Sequence, residues 1–164
     1  MAVGILGLTM ALGFSGCQSE NQKNQDAYRK IGINSMAEGD YDKAVKSFQK
    51  ALDTSLGKIG AEEIDICYYK AAAQFAKKDY DGAIETYTSL IDYDKENANA
   101  YYLRGSVYLD TDKKDKAFKD YKNAVKYAGR EYEIYEGIYE NLTNKGETEE
   151  AKNYLKKALD IKPK

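Results

Sequence analysis

The sequence contains no histidine, a single proline and only two cysteines among its 164 residues. Histidine is the commonest general base in enzymes and a favoured zinc ligand, so its absence lowers the expectation of an enzyme. Two cysteines cannot build the disulfide framework of a small exported domain. One of them, Cys67, lies within an apolar helical pattern and is predicted to be a small core residue.

Motifs that carry catalysis are absent as well. The sequence has neither a glycine-rich phosphate loop nor a nucleophile elbow. The segment DTDKKD at 110–115 begins like a calcium loop, but it lacks glycine at its sixth position and glutamate at its twelfth. Glu133, Glu136 and Glu140 share a helix face that could hold a metal, but we disfavour that alternative because no histidine accompanies them. We predict no catalysis, no metal and no cofactor.

Charge of either sign shows no large excess. The 25 basic and 27 acidic residues give a formal net charge of −2, so the broad basic face that nucleic-acid binding requires is not expected. Charged residues make up 32% and apolar residues 43% of the chain, which is typical of a folded helical protein. We therefore expect no nucleic-acid partner.

The first sixteen residues, MAVGILGLTMALGFSG, carry no charge. This run is shorter than the roughly 20 apolar residues that span a bilayer, and its small residues Ser15 and Gly16 are typical of a signal-peptide cleavage site. Because Cys17 follows them directly, the segment FSGC resembles the lipobox of bacterial lipoproteins. That resemblance implies a signal peptide at 1–16, lipidation of Cys17 and attachment to a membrane. The alternative is a buried first helix.

The next segment, residues 17–24, is polar and has no apolar periodicity. It is predicted to be a flexible tether that holds the folded part of the chain away from the membrane.

A repeated pattern organises the remaining residues, 25–164. Each copy has a polar turn, an alanine, and an aromatic residue or leucine four positions later. The alanines are at 44, 83, 117 and 151, so their spacings are 39, 34 and 34. A period of 34 with this pattern resembles the tetratricopeptide repeat, a helix–turn–helix unit. The resemblance implies an all-α, right-handed α-solenoid of four repeats, at about 25–58, 64–97, 98–131 and 132–164.

Small residues at fixed positions are expected to let the two helices of a repeat pack closely. These repeat-packing residues are Gly32, Ala44, Ala83, Gly105, Ala117 and Ala151. Two departures from the pattern predict local differences. Tyr139 occupies the glycine position of the fourth repeat, which should be splayed or repacked, and five extra residues near Gly57–Gly60 should lengthen the connection between the first two repeats.

Acidic residues near the starts of the second helices are predicted to cap them. They are Asp40, Asp79 and Asp112.

In this family the first helix of each repeat lines a concave groove that holds an extended peptide or a partner helix. The residues expected there are Arg29, Asp65, Tyr68, Phe75, Asn99, Tyr102, Asp110, Glu133, Glu136 and Glu140. Tyrosines and phenylalanine followed by acids predict a ligand with apolar side chains and lysine or arginine. The alternative is that the acids form a solvated face and that some tyrosines pack between repeats.

The open C-terminal end is a second predicted surface. The last repeat is not followed by a capping helix in this sequence, so Tyr154 and Ile161 are expected to be uncovered and could pair two copies as a homodimer. Taken together, the sequence predicts a lipid-anchored, extracytoplasmic interaction scaffold of the bacterial envelope, by family analogy in envelope assembly or secretion. The alternative is a self-associating surface lipoprotein.

Overall fold

The computed structural model describes residues 20–162, which form eight α-helices and confirm the predicted all-α fold. The helices are α1 (Glu20–Ala37), α2 (Tyr41–Thr54), α3 (Ala61–Ala76), α4 (Tyr80–Tyr93), α5 (Ala98–Asp110), α6 (Lys114–Tyr127), α7 (Tyr132–Asn144) and α8 (Thr148–Ile161). Consecutive helices pack as hairpins: α1 with α2, α3 with α4, α5 with α6 and α7 with α8. Within residues 20–162, every helix is too short or too polar to span a lipid bilayer.

The predicted signal peptide and the lipidation residue Cys17 lie outside the described residues. The predicted tether overlaps them from Glu20 onward, and there the prediction of flexibility is wrong, since Glu20 begins α1. Side-chain hydrogen bonds hold these first turns against the start of α3. Gln22 Nε2 donates to Glu62 Oε2 at 2.5 Å, and the buried Gln25 donates to Glu63 at 2.7 Å.

The core runs along the stack as three clusters of buried side chains. The first joins α1, α2 and α3, the second joins α3, α4 and α5, and the third joins α5 to α8. Since each cluster is shared by neighbouring repeats, no single hairpin buries its apolar face alone. Cys67 is half-buried at the edge of the second cluster, and burial raises the pKa of its thiol.

A glycine facing an aromatic ring sets the spacing within the first and third hairpins. A Cβ atom on Gly32 would lie 2.5 Å from Cε1 of Phe48, and one on Gly105 would lie 2.8 Å from Cδ1 of Tyr121. Both rings are fully buried, and burial raises the pKa of Tyr121 to about 12. These two hairpins also pack more extensively than the other two.

The repeat-packing alanines are buried in the same crossings. Ala44, Ala83 and Ala117 are 0% exposed and Ala151 is 1% exposed. A larger side chain at any of these positions would push two helix axes apart.

The fourth repeat is repacked relative to the others. Tyr139 is only half-buried, and the small residue of α7 that makes a close contact is Gly137. A Cβ on Gly137 would lie 2.7 Å from Cζ of Tyr102 in α5. In keeping with this contact, α7 packs mainly against α5 of the preceding repeat and has little contact with α6. The corresponding contacts in the earlier repeats, α2 with α3 and α4 with α5, are much larger.

The five extra residues between the first two repeats are divided between a loop and a helix. The connection from α2 to α3 covers residues 55–60, whereas the equivalent connections cover 94–97 and 128–131. The other three extra residues extend α3 at its start. The predicted lengthening is therefore confirmed.

Each turn within a hairpin contains one residue in the left-handed region. These residues are Gly39, Lys78, Asp112 and Gly146, with φ angles from 58° to 80°. The next residue is the N-cap, so Asp40 accepts from Lys43 N at 3.0 Å and Asp79 accepts from Gly82 N at 3.2 Å, as predicted. The prediction for Asp112 is wrong by one position, because Asp112 occupies the left-handed site and Lys113 is the N-cap of α6.

An ion pair joins the two helices of the third repeat, and its arginine also reaches the second repeat. Arg104 donates to both carboxylate oxygens of Asp120, from Nε at 2.7 Å and from Nη2 at 2.9 Å, and its Nη1 donates to Thr88 of α4 at 2.9 Å. Burial disfavours the charge of Arg104, but the bonds to Asp120 outweigh it and raise its pKa. The aromatic rings of Tyr101 and Tyr108 flank the guanidinium.

We expect Gly105→Ala to destabilise the protein by about 1–3 kcal/mol, because the new methyl group would overlap the buried Tyr121 ring. In an unobstructed helix the same change stabilises by about 1 kcal/mol, so the sign of the effect is diagnostic. Urea denaturation followed by circular dichroism measures it. In a Tyr121→Leu background, which removes the ring, the loss of stability caused by Gly105→Ala should be smaller. An equal loss in both backgrounds would contradict the close contact between Gly105 and the Tyr121 ring.

We expect Asp120→Ala to cost about 3–5 kcal/mol, because it leaves the charge of Arg104 buried without its partner. The matched control is Asp92→Ala, which removes the exposed ion pair with Lys95 and should not change the denaturation midpoint measurably. Equal effects of the two substitutions would show that the pair of Arg104 and Asp120 contributes no more to the free energy of unfolding than an exposed ion pair does.

Candidate functional site

A concave depression of about 380 Å³ lies between α3 and α5. It is lined by Asp65, Tyr68, Tyr69, Ala72, Tyr87, Asn99 and Leu103. Three of the residues expected in the groove, Asp65, Tyr68 and Asn99, meet here. The depression combines apolar walls with a carboxylate and an amide, which is the mixture found at peptide-binding surfaces.

Tyr68 forms a fixed wall of this depression. Its hydroxyl donates to Asn97 Oδ1 at 2.7 Å, and the same oxygen caps α5 by accepting from Ala100 N at 2.9 Å. The Tyr68 ring also lies 6.4 Å from the buried ring of Tyr87. Burial raises the pKa of Tyr68. The side chain is thus held in place by the protein before any ligand arrives.

Arg29 and Asp65 neutralise each other at one edge of the depression. Arg29 Nε donates to Asp65 Oδ2 at 3.0 Å, and Nη2 contacts the same oxygen. This bond is the main reason that the pKa of Arg29 is raised. The guanidinium also lies over the ring of Tyr69, 5.4 Å from its centroid. Neither charge is therefore fully free to attract a ligand.

Two other aromatic residues expected in the groove are engaged within the protein. The half-buried Phe75 packs edge-on against Tyr80 with ring centroids 5.7 Å apart. Tyr102 lies against Gly137 and near Tyr121; burial is the main cause of its raised pKa, and the charge of Glu140 adds to it. The contact of Tyr102 with Gly137 matches the alternative in which some tyrosines pack between repeats, whereas Phe75 packs within its own repeat.

Asp110 forms an ion pair with Lys145 at 2.8 Å, which joins the end of α5 to the end of α7. Of the α7 acids, Glu136 accepts from the hydroxyl of Tyr132 in its own helix, whereas Glu133 and Glu140 reach the surface. The negative surface beyond the depression therefore consists mainly of Glu133 and Glu140. Residues 20–162 contain no group of three acidic or cysteine side chains placed to hold a metal ion.

Sequence reasoning missed a larger depression of about 740 Å³ between α6 and α8. Phe118, Val125 and Tyr154 supply its apolar part, and lysines and acids surround them. Phe118 and Val125 are seven residues apart in α6 and therefore lie on the same face of that helix. This spacing is the feature of the sequence that could have indicated an apolar surface there.

Tyr154 at the C-terminal end is half-buried and not fully uncovered as expected. One edge of its ring packs against Tyr121, with centroids 6.4 Å apart, and the side chain also lines the depression between α6 and α8. Ile161 also packs against the third cluster. The exposed large apolar residue on α8 is Leu159, at 61%.

We expect Tyr68→Phe to lower the stability by about 1 kcal/mol, because it removes the hydrogen bond to the cap of α5 and keeps the ring. Thermal and urea denaturation would measure the loss. As a control, Tyr93→Phe alters an exposed tyrosine at the end of α4 and should leave the stability unchanged. An unchanged stability in Tyr68→Phe would instead indicate a hydroxyl that is free for ligand binding.

Comparisons with known proteins agree with this architecture. Three family models match: a TPR repeat at residues 71–112 and tetratricopeptide repeats at 29–88 and at both 98–130 and 140–164. No curated protein matches the sequence significantly.

Solved structures resemble the chain over most of its length. A crystal structure of MamA is 26% identical with a TM-score of 0.65, covering 84% of this chain and 78% of that one. TTC0263, a thermophilic TPR protein of Thermus thermophilus, is 19% identical with a TM-score of 0.65, covering 84% and 74%. YrrB, described as a TPR protein with an unusual peptide-binding site, is 19% identical with a TM-score of 0.61, covering 85% and 69%. The repeat matches and the stacked helical hairpins together show that the chain belongs to the tetratricopeptide-repeat family.

Proposed function

We propose that the chain is a non-catalytic interaction scaffold that binds a peptide or a partner helix in the depression between α3 and α5. The observation that carries this proposal is the pre-set wall of Tyr68, which lines a concave surface together with Leu103 and Asn99. A fixed wall reduces the entropy lost on binding. The fold of YrrB, whose described property is a peptide-binding site, supports the same use of the repeats.

The chemistry of the depression suggests which ligand it takes. One apolar side chain fits between Tyr68 and Leu103, while the amide of Asn99 can hydrogen-bond a peptide backbone. The acids Glu133 and Glu140 lie further along the row of first helices and favour a lysine or arginine in the same ligand. Because Asp65 and Asp110 are already paired with Arg29 and Lys145, the basic preference rests on α7.

A lipid anchor at Cys17 would place this scaffold at a membrane. The uncharged run at 1–16 and the small residues before Cys17 support export and lipidation, and these would locate the repeats on the extracytoplasmic side of a bacterial membrane. By analogy with lipoproteins that carry such repeats, the proposed role is in envelope assembly or secretion. Pairing of two copies through the C-terminal end has less support, because Tyr154 and Ile161 are already half-buried against the third cluster of the same chain.

We expect Ala72→Leu to weaken peptide binding about tenfold or more, because the larger side chain fills part of the depression. A tenfold loss corresponds to about 1.4 kcal/mol.

Glu140→Lys should weaken the binding of basic peptides only, because it replaces an acid with a base on α7. Isothermal titration with apolar-basic peptides selected on an array would measure both effects.

The matched control is Glu85→Lys, which makes the same charge change on the surface of α4, away from the depression. Circular dichroism checks that each variant is folded. Unchanged affinity in Ala72→Leu would show that the ligand binds outside the depression. Equal losses of affinity in Glu140→Lys and Glu85→Lys would show that only the net charge of the protein matters and that Glu140 makes no local contact.

A further inference from the structure

The connection between α2 and α3 exposes large apolar side chains that no repeat needs for packing. Leu56 is 75% exposed and Ile59 is 58% exposed, and Tyr93 at the end of α4 is 55% exposed. We call these three residues the apolar loop patch. Three of the five large apolar residues that are exposed within 20–162 belong to it, so the patch is a local concentration of apolar surface.

The patch borders an apolar cavity of about 230 Å³ between α2, α3 and α4. Leu52, Ile64 and Leu90 line its interior, and Ile59 and Tyr93 line its mouth. The loop holds Leu56 in the left-handed region, at a φ of 54°, as the turns within hairpins hold Lys78 and Asp112. What distinguishes Leu56 is its large apolar side chain, which is 75% exposed.

The position of the N-terminal end indicates what that contact is. The start of α1 lies beside the loop, since Asn21 and Gln22 share a shallow depression with Ser55, Leu56 and Lys58. The hydrogen bonds from Gln22 and Gln25 to α3 fix this placement. Only two residues separate Cys17 from Glu20, so covalent geometry limits the distance between the Cα atoms of Cys17 and Glu20 to about 11 Å.

We infer that the apolar loop patch is a membrane-contact surface. Leu56 and Ile59 enter the interface of the bilayer to which the N-terminus is attached, and Tyr93 lies at the level of the lipid headgroups, where amphipathic rings are favoured. The inference rests on the proposed membrane attachment, whether through a lipid on Cys17 or through a retained apolar run.

Attachment of the N-terminus to the membrane explains how three side chains can hold the loop at the bilayer surface. The anchor keeps the loop at a high effective concentration near the bilayer, so that each insertion is intramolecular and a weak contact is populated. Two points of contact, the anchor and the patch, would fix the tilt of the stack, whereas the anchor alone would let it rotate. The charges beside the patch are of both signs, with Lys58 in the loop and Glu62 and Glu63 at the start of α3. Contact through the apolar side chains is therefore expected with a zwitterionic bilayer, without attraction to anionic lipid.

The absence of tryptophan from the sequence allows a direct test. The full chain is produced in a bacterium that processes lipoproteins, purified, and reconstituted into phosphatidylcholine vesicles with plain or brominated acyl chains. Ile59→Trp puts a single indole in the patch, and Leu159→Trp puts one at an equally exposed site on α8 as the control. We expect brominated lipid to quench the Ile59→Trp emission and shift it to the blue, with no change for Leu159→Trp.

Flotation of the same samples separates the two proposals. Protein that floats with the vesicles but keeps an unquenched Ile59→Trp emission supports the anchor and overturns the loop contact. Protein that does not float overturns both. A blue-shifted emission that brominated lipid does not quench would show that another protein segment covers the loop, and this also overturns the membrane contact. Circular dichroism of both variants confirms that the exposed substitutions leave the fold intact.

Discussion

The distance between two helices at the point where they cross governs the rest of this structure. Where Gly105 faces Tyr121, and where Gly32 faces Phe48, the missing side chain lets an aromatic ring lie directly on the neighbouring backbone. The ring fills the space that two close axes leave on either side of the crossing, and it then reaches the next repeat. Phe48 thus stacks on Tyr69 of α3 at 5.7 Å, so that the packing within one hairpin also positions the following one.

Changes at the crossing have consequences several helices away. With Tyr139 at the glycine position, α7 makes its close contact through Gly137, two residues earlier, and this contact brings it onto Tyr102 of α5. The contact between α6 and α7 is correspondingly small, and a wide depression lies between α6 and α8. Tyr102 is thus held against α7 and is not presented freely on the concave surface, while Phe118, Val125 and Tyr154 line the depression between α6 and α8.

The sequence predicts the repeated part of this architecture well, because local spacing encodes it. The alanines mark the crossings, and Asp40 and Asp79 cap the helices that follow. Pairing between repeats is not encoded in local spacing. Nothing near Asp65 or Asp110 indicates that Arg29 and Lys145 neutralise them, and nothing near Tyr154 indicates that it packs against Tyr121. The local errors have physical reasons too: the turn before α6 requires a left-handed residue at Asp112, which aspartate tolerates better than most residues.

The sparse contact between α6 and α7 has a consequence for how the molecule comes apart. In a stack in which each repeat touches only its neighbours, cooperativity is carried by the interfaces between repeats. The terminal hairpin of α7 and α8 meets the third repeat through the core cluster that joins α5 to α8, and it has little contact with α6 outside that cluster. Local opening of this hairpin would uncover Tyr121, whereas the side chains around the depression beside Tyr68 belong to α3, α4 and α5 and keep their neighbours.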